Sequence, residues 1–174
     1  MLGDTLLAYA WLVPLFPALG FVLISFCLRS KGRLSAWVAV FLSLLSLLLS
    51  VGIARSVLVL GITMEAPFIE RMIWFKAGTL QAEMGVLVDP LSALLLLVVT
   101  TVSLLVQIYS LGYMKRDANQ ARFFAFLSLF AAAMLGLVLA VNFLEMYVFW
   151  ELVGLCSYLL IGFYYERIAA REAA

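Results

Sequence analysis

The sequence predicts an all-α membrane protein: five transmembrane helices, with a short β-hairpin between the second and third on the periplasmic or lumenal side. Three observations carry that expectation. Apolar residues make up 67% of the chain and charged residues only 12%, against roughly 45–50% apolar in soluble domains. So little polar surface cannot cover a soluble domain of 174 residues. The apolar residues fall in long runs, each near the roughly twenty that cross a hydrocarbon core. Finally, threading five helices gathers most of the basic residues on one side, as the charge bias of membrane proteins requires.

The first run predicts a helix over 6–28. It is longer than a signal-peptide core, and no basic residue precedes it. Pro14 and Pro17 lie inside it; membrane helices tolerate proline where neighbours satisfy the freed carbonyls. A basic loop, Arg29 to Arg33, leads to a second span over 34–54. There Ser43, Ser46 and Ser50 recur at helical spacing, the mark of a helix–helix contact face, and Arg55 is expected to end the helix with its head in the headgroups. From Ser56 to Asp89 the apolar stretches are short, broken by residues such as Glu65, Pro67, Arg71 and Lys76. MIWFKA and TLQAEMGVLVD partly alternate apolar with polar residues around Gly78, which predicts the hairpin. Asp89-Pro90 is a helix start, with aspartate as N-cap and proline at the first helical position. It opens a third span over 90–114. A polar loop from Lys115 to Arg122 precedes the fourth span, 123–141, and Asn142 leads into the fifth, 143–165. The chain reads as one membrane domain over 1–174.

With the N-terminus outside, Arg29, Lys31, Arg33, Lys115, Arg116, Arg122, Arg167 and Arg171 lie inside, leaving Arg55, Arg71 and Lys76 outside. The net charge of +1 argues against a nucleic-acid partner. Histidine is absent, which removes the commonest metal ligand and neutral-pH proton carrier. Cys27 and Cys156 lie far apart in apolar segments and read as small buried residues. No metal site and no cofactor-binding motif is expected on the chain.

The fifth span carries the candidate chemistry. Glu145 and Glu151 lie within FLEMYVFWELVGLCSYLLIGFYY, and an ionised carboxylate in hydrocarbon costs on the order of several kcal/mol. Glu151 falls about 12 Å below the outer end, sharing a face with Gly154, Tyr158 and Gly162, and with Trp150 and Ser157 alongside. This predicts a carboxyl held against other protein. Burial disfavours the charged form of a carboxyl, so its proton can follow the movement of nearby charge. Glu151 is the candidate proton carrier, weighed against a fixed ion pair or a protonated strut between helices. Tyr158, whose hydroxyl can hold a proton or a water, is a secondary candidate. Glu145 is a weaker one: it sits near the interface where water reaches it, and it reads more as structure than as carrier.

The run FWELVGLCSYLLIGFYYER closely resembles the fifth-helix motif of the large antiporter-like subunit of respiratory complex I, called subunit L or chain 5. It is similar also to the F subunit of the photosynthetic NAD(P)H dehydrogenase. VDPLSALLLLVVTTVSLLVQIYSLGYM and RFFAFLSLFAAAMLGLVL resemble the family's third and fourth helices, and WFKAGTLQAEMGVLVD its outward-facing hairpin. The resemblance implies that Glu151 is the essential carboxylate, paired with a lysine two helices on, in a proton-translocating NAD(P)H–quinone oxidoreductase. It implies flavin, iron–sulfur and quinone chemistry on partner subunits, other membrane-arm subunits as partners, and a bacterial inner membrane or a thylakoid or organellar inner membrane. Family members carry inverted repeats, broken helices and a long lateral helix that this sequence lacks. The expectation is therefore an N-terminal portion of a longer subunit that does not pump alone. The rival readings are a component of a multisubunit cation/proton antiporter or membrane-bound hydrogenase, and a helical scaffold fragment without transport.

Overall fold

The computed structural model describes residues 6–77, 80–166, 168, 172 and 173. Its helices are α1 (Leu12–Phe26), α2 (Gly32–Leu60), α3 (Pro90–Tyr113), α4 (Gln120–Leu139) and α5 (Phe143–Ile161), the last continued by a 3-10 turn at Gly162–Tyr164. Strands β1 (Phe68–Ala77) and β2 (Leu80–Val88) pair antiparallel between α2 and α3. Among the described residues, four helices are long and apolar enough to cross a membrane: α2, α3, α4, and α5 with its 3-10 turn. Such helices make this an integral membrane protein.

The first expected span, over 6–28, is shorter than its apolar run. Leu6 and Leu7 are helical, turns follow to Trp11, and α1 proper has 15 residues, about 22 Å at the usual rise. The two prolines explain both the irregular entry and the survival of the helix. Pro14 cannot donate to the Ala10 carbonyl, which accepts instead from the Val13 N–H at 3.1 Å. Pro17 frees the Val13 carbonyl, and the Ser46 hydroxyl of α2 donates to it at 2.8 Å. A carbonyl stranded in a low-dielectric interior costs roughly 1–3 kcal/mol, so the serine is what lets this proline sit inside the bundle.

The serine face of α2 is where the sequence placed it: Ser43, Ser46 and Ser50 are all buried, and the Ser50 hydroxyl donates to the Ser46 carbonyl. The end of α2 is not. The helix runs past Arg55 to Leu60 and stops at Gly61, whose φ of 66° is left-handed. Arg55 is exposed on the helix surface and imposes no backbone constraint, whereas Gly61 adopts the reversal at no Cβ cost. At α3 the expected start holds in detail. The Asp89 carboxylate accepts from Ser92 N–H at 2.6 Å and the Ser92 hydroxyl accepts from Asp89 N–H at 2.8 Å, closing a capping box around Pro90.

The hairpin begins earlier than the alternation suggests, at Phe68, with an irregularity between Ile73 and Phe75. Its turn at Gly78 lies outside the described residues, as do Arg167 and Arg171. Cys156 is buried but Cys27 is exposed at the end of α1, against the expectation of two buried thiols; the helix stops at Phe26, beyond the packed part of the bundle.

Packing centres on α4, which touches α1, α2, α3 and α5. Its buried face is small: Ala125, Ser128, Ala131, Ala132, Ala133 and Gly136 let four neighbours approach. The Phe149 ring of α5 lies so close over Gly136 that an added Cβ would collide with it. Two apolar clusters form, one at the hairpin end around Val13, Ile53, Val88, Leu96 and Leu139. The other, at the opposite end, gathers Ile24, Ala39, Met114, Phe124 and Phe163.

Candidate functional site

The two carboxylates of α5 exchange the environments expected of them. Glu145 is the buried one, 6% exposed. It stands in the first turn of α5, where Asn142 is the N-cap and accepts from Glu145 N–H at 2.9 Å. The Glu145 carboxylate accepts from Val141 N–H at 3.1 Å, and from Gly85 N–H at 3.2 and 3.4 Å on its two oxygens. The Asn142 amide donates to the Glu83 carbonyl at 2.8 Å. The start of α5 thus grips the backbone of β2 at two alternate positions, the Glu83 carbonyl and the Gly85 N–H. Gly85 also lies against the Glu70 carbonyl across the hairpin, where a Cβ would clash. The expectation that bulk water reaches Glu145 is corrected: the hairpin folds over it. The fold supplies backbone N–H groups and the positive end of a helix in place of solvent.

A cavity of about 460 Å³ opens beside this grip, walled by Trp11, Met72, Met84, Leu139 and Phe149, with Glu145 at its edge. It lies at the hairpin end and does not take in Glu151.

Glu151 is exposed on the outer face of α5. It interacts with the phenol of Tyr147, one turn earlier on the same helix. The face read from the sequence is real, since Trp150, Gly154 and Tyr158 are exposed with it, but nothing within the described residues covers it. Helix α5 is the rim of the bundle: 11% of its span is buried, against 50% for α4. Among the described residues, then, no other element stands against Glu151 as the sequence reading expected. Periodicity shows which residues share a helix face but not which side of the bundle that face meets.

Tyr158 is likewise separated from Glu151. It lines a cavity of about 240 Å³ at the far end of α5, with Arg122 of α4. Sequence reasoning passed over Asn142 and Gly85, which make the grip on Glu145. The only signal was asparagine immediately before an apolar run, an ordinary N-cap. Among the described residues no group of three or more metal-ligating side chains comes together.

The chain is similar to known proteins along nearly all its length. Residues 74–124 match the family model described as NADH-Ubiquinone oxidoreductase (complex I), chain 5 N-terminus, and residues 140–174 the model NADH:quinone oxidoreductase/Mrp antiporter, TM. The chain is 46% identical to NAD(P)H-quinone oxidoreductase subunit 5, chloroplastic, of Mesostigma viride, over 98% of this chain and 26% of that protein. It is also 46% identical to NAD(P)H-quinone oxidoreductase chain 5 of a Picosynechococcus species, again over 98% of this chain and 26% of that protein. A solved structure of the Mrp complex from a Dietzia species matches with a TM-score of 0.64 and 26% identity, over 90% of this chain and 16% of the matched one. The chain thus spans about a quarter of the length of these curated relatives. Over the residues it spans, the chain is similar to subunit 5 of the NAD(P)H-quinone oxidoreductases.

Proposed function

We propose that this chain is a membrane-arm segment of a proton-translocating NAD(P)H-quinone oxidoreductase, and that Glu151 is the proton carrier it contributes. The observation that carries the reading is the carboxylate on the open face of α5, midway along a span and without a basic partner among the described residues. Such a group belongs against protein or a water path, because lipid tails offer it neither charge nor hydrogen bonds. The chain covers about a quarter of its relatives, so further helices of the same subunit are the natural cover for that face. In this arrangement the counter-charge of Glu151 comes from those helices. Movement of that cation then decides whether Glu151 holds its proton.

The rest of the reading concerns placement. Helix α1 with the turns before it makes a fifth crossing, the N-terminus and hairpin face the periplasm or lumen, and flavin, iron–sulfur and quinone chemistry stays on partner subunits. Other membrane-arm subunits are the partners. Tyr158 is outside the carrier's immediate reach, and Glu145 acts as the anchor of the hairpin. The antiporter reading is kept alive by the Mrp match.

The test uses proteoliposomes holding the complete complex that contains this chain. Glu151→Gln is expected to lower proton uptake per quinone reduced on the order of a hundredfold, with the complex still assembled. Full pumping by the variant defeats the proposal. Uptake that follows an imposed sodium gradient and ignores quinone reduction favours the antiporter class. Liposomes holding the chain alone are expected to stay proton-tight.

A further inference from the structure

Arg122 stands in the first turn of α4, at the end of the bundle opposite the hairpin. Among the described residues its guanidinium donates once, to the Phe163 carbonyl at 2.9 Å, just past the end of α5. It lies 4.9 Å from the centre of the Phe163 ring and 5.6 Å from that of Tyr165, within cation–π range of both. The Nε is buried without a partner, and no carboxylate lies within 4.0 Å of the guanidinium among the described residues. Asp117, the acid nearest in sequence, instead accepts from the Tyr164 hydroxyl at 2.9 Å and the Asn119 N–H at 2.7 Å. Among the described residues, most of a fork built for planar oxyanions is thus left without an acceptor.

The space beside it has the matching shape. A cavity of about 240 Å³ is walled by Arg122, Phe126, Tyr158, Leu159, Phe163 and Tyr165. The arginine and Tyr165 lie level with the helix ends; Phe126, Tyr158 and Leu159 lie a turn further into the spans. Charge at the end, aromatic rings beside it and an apolar wall leading inward follow the order of headgroup and acyl chain in a lipid. The opening is on the rim, because α5 packs chiefly against α4.

We infer that this cavity holds a phospholipid, its phosphate on Arg122 and the start of one acyl chain along Phe126 and Leu159. The site is independent of Glu151, and its test reads lipid retention without reference to transport.

The purified chain, extracted in mild detergent, is exposed to dioleoylphosphatidylglycerol or dioleoylglycerol, and retained lipid is counted by native mass spectrometry. One phosphatidylglycerol is expected to stay bound, and dioleoylglycerol is expected to be lost. Arg122→Ala is expected to weaken retention roughly tenfold, the worth of one charge-assisted contact. Arg116→Ala, in the exposed loop, is expected to leave it unchanged. Leu159→Trp fills the cavity while leaving the Arg122–Phe163 bond in place; it is expected to displace the lipid even if Arg122→Ala misfolds. Equal retention of the two lipids, or unchanged phosphatidylglycerol binding in Leu159→Trp, overturns the inference. Displacement of phosphatidylglycerol by excess inorganic phosphate marks a site for the free anion and overturns it equally.

Discussion

At the scale of single residues, burial is tolerated where the backbone supplies a partner. Ser46 shows this most simply, because its hydroxyl answers a carbonyl that a proline on another helix left free. Replacing Ser46 with alanine removes the donor and leaves the Val13 oxygen in an apolar interior with no water to replace it. The expected loss is about 1–2 kcal/mol, readable as a lower midpoint in a denaturant titration of the chain in micelles. Ser50→Ala is the control, since the Ser46 carbonyl it serves lies within a regular helix; its effect is expected to be smaller. A midpoint for Ser46→Ala no lower than that of the control defeats the account. The same rule explains Glu145, an acid held out of solvent by N–H groups from two separate segments.

At the scale of elements, the hairpin is held less by its own core than by the first turn of α5. Many of the large apolar side chains of β1 face outward, Met72, Ile73, Trp74 and Phe75 among them, and an isolated two-stranded hairpin is marginal in water. The grip by Glu145 and Asn142 on β2 therefore carries much of the docking. Glu145→Ala is expected to raise the rate of tryptic cleavage after Arg71 and Lys76 on the order of tenfold, because hydrogen bonds to a charged acceptor contribute about 1.5–3 kcal/mol. The helices themselves are expected to stay intact by circular dichroism. Cleavage no faster than in the unaltered chain would show that the sheet docks by other contacts.

At the scale of the whole molecule, the bundle is lopsided, with α4 surrounded and α5 bare. A bare face carrying Trp150 and Glu151 is a poor lipid surface and a good protein interface. Gly154 lies on it, and an added Cβ there meets nothing within 4 Å. In a background where Cys27 is serine, Gly154→Cys is expected to react readily with a membrane-permeant maleimide in the isolated chain. In the assembled complex the reaction is expected to slow by about tenfold or more. Equal reactivity in both states would mean that no other protein covers the face.

Much of this was legible in the residues. Long apolar runs announced the helices, Asp89-Pro90 announced the start of α3 to the residue, and the serines of α2 announced a packed face, because all three are written in local sequence or short periodic spacing. The resemblance carried by FWELVGLCSYLLIGFYYER was equally local, and it pointed to the same proteins that the chain is similar to along its length. The remainder divides between a local signal read at the wrong residue and a contact that no local signal carries. Arg55 failed to end α2 because a chain reversal needs a backbone conformation, which Gly61 adopts and a charge does not provide. Which of two acids on one helix is enclosed depended on what packs against each side: a hairpin some sixty residues upstream covers Glu145, while the helix next in contact leaves Glu151 open.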